Sequence, residues 1–304
     1  MLSMLILSCA ISVASTPVGV DYFLKYQAPT GPVRDRESNA SIYSSAATGF
    51  ALDVYAIASE QGVITKSEAL RRINLALDFY DRTTPKESRG WLYHFIDKDG
   101  KPVYTNEVSS IDTAIFYQGA RQAARRLKDA ALTAKVETAI KKIDQKWMMD
   151  LSPAHDLFGH GLANGKPLPY AWDDYNEGVL IYDLFNVPFK PRHTNYNLPL
   201  FVYYYPLCFI HTDATAEHLK RAIAYQIKTF GYYGITTCDT IGGYCWYPTD
   251  YVSPLAMQAI DKIYPYKETY PVTESYNLKT KWASTDRIGI EQGAFVILRN
   301  YEKG

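Results

Sequence analysis

The sequence predicts an all-α fold, a toroid of helical hairpins around a central funnel. Apolar residues recur at helical spacing through most of the 304 residues, whereas patterns typical of strands are weak. Several segments between the helical patterns are longer than the usual loops of a compact domain, and long ordered loops tend to carry function. We therefore expect the loops on one side of the toroid to form the functional site.

The first predicted helices lie in the N-terminal third of the chain. Residues 46–60 place apolar side chains on one face, and residues 66–82 do the same at spacings of three and four. Thr65 and Glu68 form the sequence pattern of a capping box at the start of the second helix. The apolar stripe of that helix consists of Leu70, Ile73, Leu77 and Tyr80.

Further helices are predicted along the rest of the chain. They span residues 109–127 (capped by Ser109 or Ser110), 130–147, 175–185, 214–230 and 289–301. Ser253 followed by Pro254 is typical of a helix start, because proline is tolerated at the first helical position. Residues 200–209 are apolar and rich in tyrosine, but Pro206 interrupts them, so that either a weak strand or a helix is compatible with the pattern.

The composition excludes some classes of function. The chain has 32 basic and 32 acidic residues and no formal net charge, which disfavours a nucleic-acid binder and a polybasic membrane surface. Hydrophobic residues make up 47% of the chain, enough for a large core. No change in composition marks a linker, and residues 16–304 are predicted to form a single domain.

The N-terminal residues 1–15 are apolar and small and resemble an export signal. Val13-Ala14-Ser15 fits a cleavage site for a secretory signal, while Ile6-Leu7-Ser8-Cys9 fits a lipoprotein processing site with Cys9 as the lipidated residue. We expect a periplasmic or outer-membrane lipoprotein of a bacterium, with Cys9 as its only link to a membrane.

No metal or cofactor is expected. The cysteines do not show the spacing of a zinc site, although Cys238 and Cys245 flank a glycine-rich loop and could form a disulfide. His155, Asp156 and His160 are also poor metal ligands by spacing, because five residues separate the two histidines and the adjacent glycines indicate a loop.

One segment places a carboxylate among aromatic and polar residues, and two further segments carry acidic residues. The segment 171–178 carries Trp172, Tyr175, Asn176 and Glu177, and acidic residues recur in 107–113 and 237–239. Aromatic rings stack on the C–H faces of sugars, and carboxylates and amides bind their hydroxyls. A carboxyl group whose pKa is raised by apolar walls can protonate a glycosidic oxygen. The three segments therefore indicate a sugar site.

Seven blocks, in order, resemble the glucoamylase-like domain family, which includes bacterial β-1,2-glucanases and a domain of cyclic β-1,2-glucan synthases. The blocks lie at 31–36, 44–50, 89–114, 175–178, 207–211, 233–239 and 288–293, and the resemblance runs from about residue 21 to 301. This chain differs from the family pattern at two positions: Tyr233 stands where the family has Trp, and Cys238 stands where the family has Ser. The resemblance implies an (α/α)6 barrel.

The resemblance also implies roles for individual residues. Glu177 is expected to be the general acid, with Asp112, Asp239 and Glu107 as further catalytic carboxyl groups, although each could instead be a helix-terminal or turn residue. Ten residues are expected to bind substrate: Asp35, Arg36, Arg89, Tyr93, His94, Trp172, Tyr175, Asn176, His211 and Tyr233. For His211, a buried structural role is equally compatible with the sequence.

The sequence therefore predicts an exported glycoside hydrolase that acts on an oligo- or polysaccharide, with β-1,2-glucan favoured. Two alternatives stay open on the same residues, a transglycosylase on β-1,2-glucan and a non-catalytic glycan-binding protein of the cell surface. A polysaccharide lyase is disfavoured, because an acidic substrate would require a basic funnel.

Overall fold

The computed structural model describes residues 19–231, 233–236, 238–240, 243–245, 251–252, 260, 281–282 and 288–300. Within these ranges the chain forms ten α-helices. They are α1 (Val20–Tyr26), α2 (Ser45–Glu60), α3 (Lys66–Thr83), α4 (Ser110–Leu127), α5 (Ala130–Lys141), α6 (Gln145–Asp150), α7 (Val179–Leu184), α8 (Phe201–Phe209), α9 (Asp213–Phe230) and α10 (Gly289–Arg299). The prediction of an all-α fold is confirmed.

Five of these helices form a closed inner ring. Going round it, α2 packs on α4, α4 on α7, α7 on α8, α8 on α10, and α10 on α2 again. Other helices cover the ring from outside: α1 lies on α2 and α10, α3 on α2, α5 on α4, and α9 on α8. The inner helices are apolar on nearly all sides, as expected for helices packed on both faces.

The contact between α2 and α4 is the tightest in the ring, because glycines face each other across it. A Cβ atom placed on Gly119 would lie 1.9 Å from the carbonyl oxygen of Gly49, and a Cβ atom on Gly49 would lie 2.5 Å from Cα of Phe116. The two backbones therefore touch, and this sets the position of α4 in the ring.

Short strands connect the helices at one end of the ring. One antiparallel sheet contains β1 (Arg34–Arg36), β2 (Asn39–Ser44) and β3 (Phe95–Ile96), and a second contains β4 (Val108–Ser109), β5 (Gly161–Ala163) and β6 (Lys166–Pro167). Further strands are β7 (Cys238–Thr240), paired antiparallel with β8 (Gly243–Cys245), and β9 (Tyr251–Val252), paired parallel with β10 (Lys281–Trp282).

Several helix boundaries differ from the sequence prediction. The single helix predicted over 130–147 is two helices, α5 and α6, because the Asp144 side chain accepts a hydrogen bond from the backbone N–H of Trp147 and starts a new helix. The helix predicted over 175–185 begins only at Val179. Residues 201–209 are helical despite Pro206, since every residue after Phe201 in α8 is buried in the ring.

Among the described residues, no helix has the length and hydrophobicity that crossing a bilayer requires. The predicted helix start at Ser253-Pro254 lies outside the described residues.

Candidate active site

The N-terminal ends of the inner helices open onto one cavity of about 560 Å³. The first turns of α2, α4, α8 and α10 contribute to its wall, and so does the turn that precedes α7. The side chains in its wall include Asp35, Arg36, His94, Phe95, Tyr104, Thr105, Glu107, Asp112, Glu177, Phe201, Tyr205 and Glu291. The cavity thus brings carboxyl groups together with aromatic rings at the helix ends that favour negative charge.

Asp112 is fixed by the cap of α4. The Ser109 hydroxyl accepts a hydrogen bond from the backbone N–H of Asp112 at 3.2 Å and donates one to the Asp112 carboxylate. Burial raises the pKa of Asp112 above its ordinary value, although the charge of His94 and the hydrogen bond from Ser109 oppose the shift.

His94 lies between two of the predicted catalytic carboxyl groups. Its Nδ1 is 3.2 Å from Oε2 of Glu107, and its Nε2 is 3.6 Å from Oδ1 of Asp112. Burial alone would lower the pKa of His94, but the charge of Asp112 and the hydrogen bond and charge of Glu107 outweigh it and raise the pKa to about 9. His94 is therefore an imidazolium at neutral pH.

Glu107 is kept ionised by His94. Burial would raise its pKa, but the hydrogen bond and the positive charge of His94 lower it below its ordinary value. The backbone supports this pairing, because the N–H of His94 donates to the carbonyl oxygen of Glu107 at 2.9 Å.

Glu177 has the opposite electrostatic environment. It lies in the turn before α7, where the Asn176 side chain accepts a hydrogen bond from the N–H of Gly178 at 2.8 Å. Burial and the neighbouring charge of Asp112 raise the pKa of Glu177 to about 8, and the charge of His94 opposes the shift. The Glu177 carboxyl group is therefore protonated at neutral pH.

Glu291 is a carboxyl group of this cavity that the sequence analysis did not select. It is buried in the first turn of α10, and it accepts hydrogen bonds from the hydroxyl groups of Tyr204 and, at 2.7 Å, Tyr205. In the sequence, the only indication of its role was its position inside the matched block 288–293. Glu291 comes to lie among the other carboxyl groups because the ring closes and brings α10 against α8.

Asp35 and Arg36 form an ion pair in the wall, as the sequence suggested for a clamp. The two Arg36 nitrogens Nη2 and Nε lie 2.7 and 2.8 Å from Oδ2 of Asp35, which is buried.

Four aromatic side chains in the wall, Phe95, Tyr104, Phe201 and Tyr205, were not predicted as site residues. The sequence shows no spacing that distinguishes these four residues from the tyrosines and phenylalanines of the core.

The aromatic cluster 171–178 lies behind the cavity and supports it. Trp172 is buried, stacks on His160 with ring centroids 3.8 Å apart, and donates its indole N–H to the hydroxyl of Ser110 in α4. Burial lowers the pKa of His160 to about 4, so this histidine is neutral. Tyr175 stacks on His218 of α9. The structure thus places Trp172, Tyr175 and Asn176 where they hold Glu177 and α4, outside the cavity wall.

Four other predicted substrate-binding residues do not reach this cavity. Arg89 forms an ion pair with Asp144 at 3.0 Å, at the start of α6. Tyr93 directly precedes His94 on an extended segment, so that the side chains of Tyr93 and His94 diverge. His211 lies at the opposite end of the ring, where its Nε2 is 3.3 Å from the carbonyl oxygen of Cys208. Tyr233 is fully buried in the core.

Asp239 lies on β7, and its side chain is outside the described part of the structure. Cys238 faces Cys245 across the β7–β8 ladder, but their side chains are not described either, so the disulfide stays a prediction. Among the described residues, no group of three His, Cys, Asp or Glu side chains is arranged to hold a metal ion.

Comparison with known proteins gives matches only among solved structures, since no family model and no curated protein matches the chain. An endo-β-1,2-glucanase from Chitinophaga pinensis, in complex with sophorotriose and glucose, aligns with a TM-score of 0.64 and 16% identity over 93% of this chain and 89% of its own. A β-1,2-glucanase from Parabacteroides distasonis aligns with a TM-score of 0.68 and 18% identity over 92% of this chain and 54% of its own.

A candidate glucoamylase from Bacteroides uniformis aligns with a TM-score of 0.66 and 15% identity over 93% of this chain and 90% of its own. The chain has the (α/α)6-barrel fold of these glucoamylase-like proteins. At such low sequence identities the likeness establishes the fold alone. The reaction that the chain catalyses is therefore inferred from the residues of its own cavity.

Proposed function

We propose that this chain is a glycoside hydrolase that cleaves a β-glucan by carboxylate acid–base catalysis, with β-1,2-glucan as the leading substrate. One observation carries the proposal: Glu177, whose burial raises its pKa to about 8, and Glu107, whose pKa is lowered by His94, line the same cavity. Glycosidases require this combination, one carboxylic acid to protonate the leaving oxygen and one carboxylate on the other side of the reaction.

In the proposed mechanism, Glu177 donates its proton to the departing glycosidic oxygen. Glu107 acts as the carboxylate that activates water or stabilises the positive sugar ring, and His94 keeps it ionised. The carboxyl groups of Asp112 and Glu291 lie in the same wall, where negative charge would stabilise the positive charge that the reacting ring develops in the transition state. Asp239 stays a further candidate for the second carboxylate.

The choice of substrate rests on two arguments. The cavity combines acidic groups with aromatic rings and only one arginine in its described wall, which suits a neutral sugar better than an acidic one. Two of the structures with the same fold are β-1,2-glucanases, and one of them was solved with sophorotriose. Both arguments support a β-glucan, and the second favours the β-1,2 linkage.

Reducing-sugar release from a panel of β-glucans tests the proposal. We expect the wild type to release products from β-1,2-glucan, and Glu177→Gln to lower the rate about 10²- to 10⁴-fold, as expected for the loss of a general acid. Glu60→Gln is a matched control, because Glu60 lies at the end of α2 that faces away from this cavity.

Other outcomes of the same assay separate the alternatives. Ladders of longer products with little net hydrolysis would identify a transglycosylase. Binding of a glucan without release of products, and with unchanged affinity in Glu177→Gln, would contradict the proposal and identify a glycan-binding protein.

We also propose that the protein is exported, on the basis of the apolar segment 1–15, which lies outside the described residues. Fractionation of bacterial cells producing the wild type and Cys9→Ser tests this. Membrane association that depends on Cys9 would support a lipoprotein, and recovery of the uncleaved chain in the cytoplasm would contradict export.

A further inference from the structure

Tyr104 is an exposed aromatic side chain at the edge of the carboxyl cavity. It retains 67% of its surface, and the other strongly exposed large hydrophobic residues of the described chain are Tyr170, at 60%, and Phe230, at 39%. Of these three, Tyr104 alone belongs to the described wall of the cavity. An exposed ring in such a position has no role in the core and is free to contact a ligand.

The loop that carries Tyr104 is held in place by its backbone. The N–H of Val103 donates to the carbonyl oxygen of Phe95, and that of Asn106 donates to the carbonyl oxygen of Val103. The N–H of Asn164 donates to the carbonyl oxygen of Thr105 at 2.7 Å, which ties the loop to the β5–β6 turn. The ring is therefore presented from an ordered backbone, which lowers the entropic cost of binding.

The backbone of Tyr104 is itself in an unfavourable conformation. Its φ angle is 59°, in the left-handed region that a bulky side chain rarely adopts. Such a conformation is unfavourable and persists only where the surroundings enforce it, often at sites of function.

A chain of ring contacts links Tyr104 to the carboxyl cluster. His94 stacks on Phe95 with centroids 3.7 Å apart, and the Phe95 ring meets the Tyr104 ring edge to face at 5.7 Å. A glycan with one sugar ring at the carboxyl groups therefore has its neighbouring rings within reach of Tyr104.

We propose that Tyr104 is an aromatic platform that binds a sugar ring of the glucan next to the ring that reacts. This inference rests on the proposed function, since it assumes that the cavity holds the reacting ring. The C–H face of a glucose unit would stack on the exposed ring, as sugar rings do on aromatic faces. The platform would make the site favour chains long enough to reach it.

Steady-state kinetics on β-1,2-gluco-oligosaccharides of increasing length test the platform. We expect Tyr104→Ala to raise KM about tenfold for the long oligosaccharides and to leave their kcat nearly unchanged, because stacking away from the reacting bond contributes to binding. Tyr104→Phe and Tyr104→Trp should keep the wild-type KM. Tyr170→Ala is the matched control, a tyrosine of similar exposure outside the cavity wall, and should change nothing.

A second measurement separates this inference from the proposed function. Calorimetric binding of a long β-1,2-gluco-oligosaccharide to Glu177→Gln, with and without Tyr104→Ala, reports the platform without turnover. If the wild type hydrolyses no glucan, the hydrolase proposal fails, but weaker binding upon Tyr104→Ala would still support the platform. Hydrolysis and binding that are both unaffected by Tyr104→Ala would overturn the platform.

Discussion

Two histidines approach the Glu107 carboxylate, and their environments give them opposite charges. His94 faces Asp112 as well as Glu107, which raises its pKa to about 9. His160 stacks on Trp172 in a buried position, which lowers its pKa to about 4. Of the two histidines, only His94 therefore supplies positive charge to the carboxyl cluster at neutral pH, and its removal should change the pKa values of the carboxyl groups.

His94→Gln tests this assignment through the pH dependence of kcat/KM. The imidazolium lowers the pKa of both Glu107 and Glu177, so its removal should raise both values. Activity is lost on the acidic side as Glu107 becomes protonated and on the basic side as Glu177 loses its proton. Both limbs of the profile should therefore move to higher pH.

His160→Gln is the control for the basic limb of that profile, since His160 is neutral there and does not contribute to the pKa of Glu177. It should leave the basic limb in place even if it lowers the rate by loosening Trp172. A His94→Gln profile that is lower in height but unshifted would show that His94 has a structural role only.

Individual site residues could be predicted from the sequence where a local pattern surrounds them. Glu177 stands among aromatic and polar residues, Glu107 and Asp112 stand in one short acidic segment, and all three reach the cavity. Glu291 was missed because its partners, Tyr204 and Tyr205, are distant in sequence. His211 ends an apolar run, and the sequence does not reveal that this run ends at the far side of the ring.

At the scale of elements, the N-terminal caps position the chemistry. Ser109 caps α4 and holds Asp112, whereas Thr65 caps α3, which lies outside the ring and away from the cavity. The two residues therefore have the same structural role with different consequences for the site. The expected capping box at Thr65 is only half formed, because the Glu68 carboxylate binds Arg71 and Arg72 instead.

Ser109→Ala and Thr65→Ala separate helix stability from site geometry. Each change removes a cap and should lower the free energy of unfolding by about 1 kcal/mol. Ser109→Ala should also lower kcat/KM by about tenfold or more, because the Asp112 carboxylate loses a hydrogen-bond donor that orients it. Thermal unfolding and steady-state kinetics measure both effects.

Thr65→Ala, in contrast, should lower stability and leave kcat/KM unchanged. Equal losses of activity in the two variants would mean that the cap of α4 affects activity only through stability.

At the scale of the whole molecule, the direction of the inner helices creates the site. Ala46, Asp112, Phe201 and Glu291, each near the start of an inner helix, line one cavity, while Ile57, Arg126, Phe209 and Asn300, each near the end of the same helices, line the other. The helices thus run in the same direction, and their positive dipole ends converge on the carboxyl groups.

Hydrophobic periodicity predicted most of these helices but not their closure into a ring. The glycine contact between α2 and α4 depends on two residues far apart in the chain, Gly49 and Gly119, whose sequence surroundings are ordinary helix. The resemblance to glucoamylase-like domains supplied the (α/α)6 arrangement that periodicity could not.

In the proposed mechanism, Glu177 protonates the leaving group. This role is tested by comparing two substrates of the Glu177→Gln variant, β-1,2-glucan and an aryl β-glycoside with a dinitrophenolate leaving group, which departs without a proton. We expect hydrolysis of the glucan to fall about 10²- to 10⁴-fold while hydrolysis of the aryl glycoside is largely retained. Equal losses on both substrates, or no loss on either, would contradict this role.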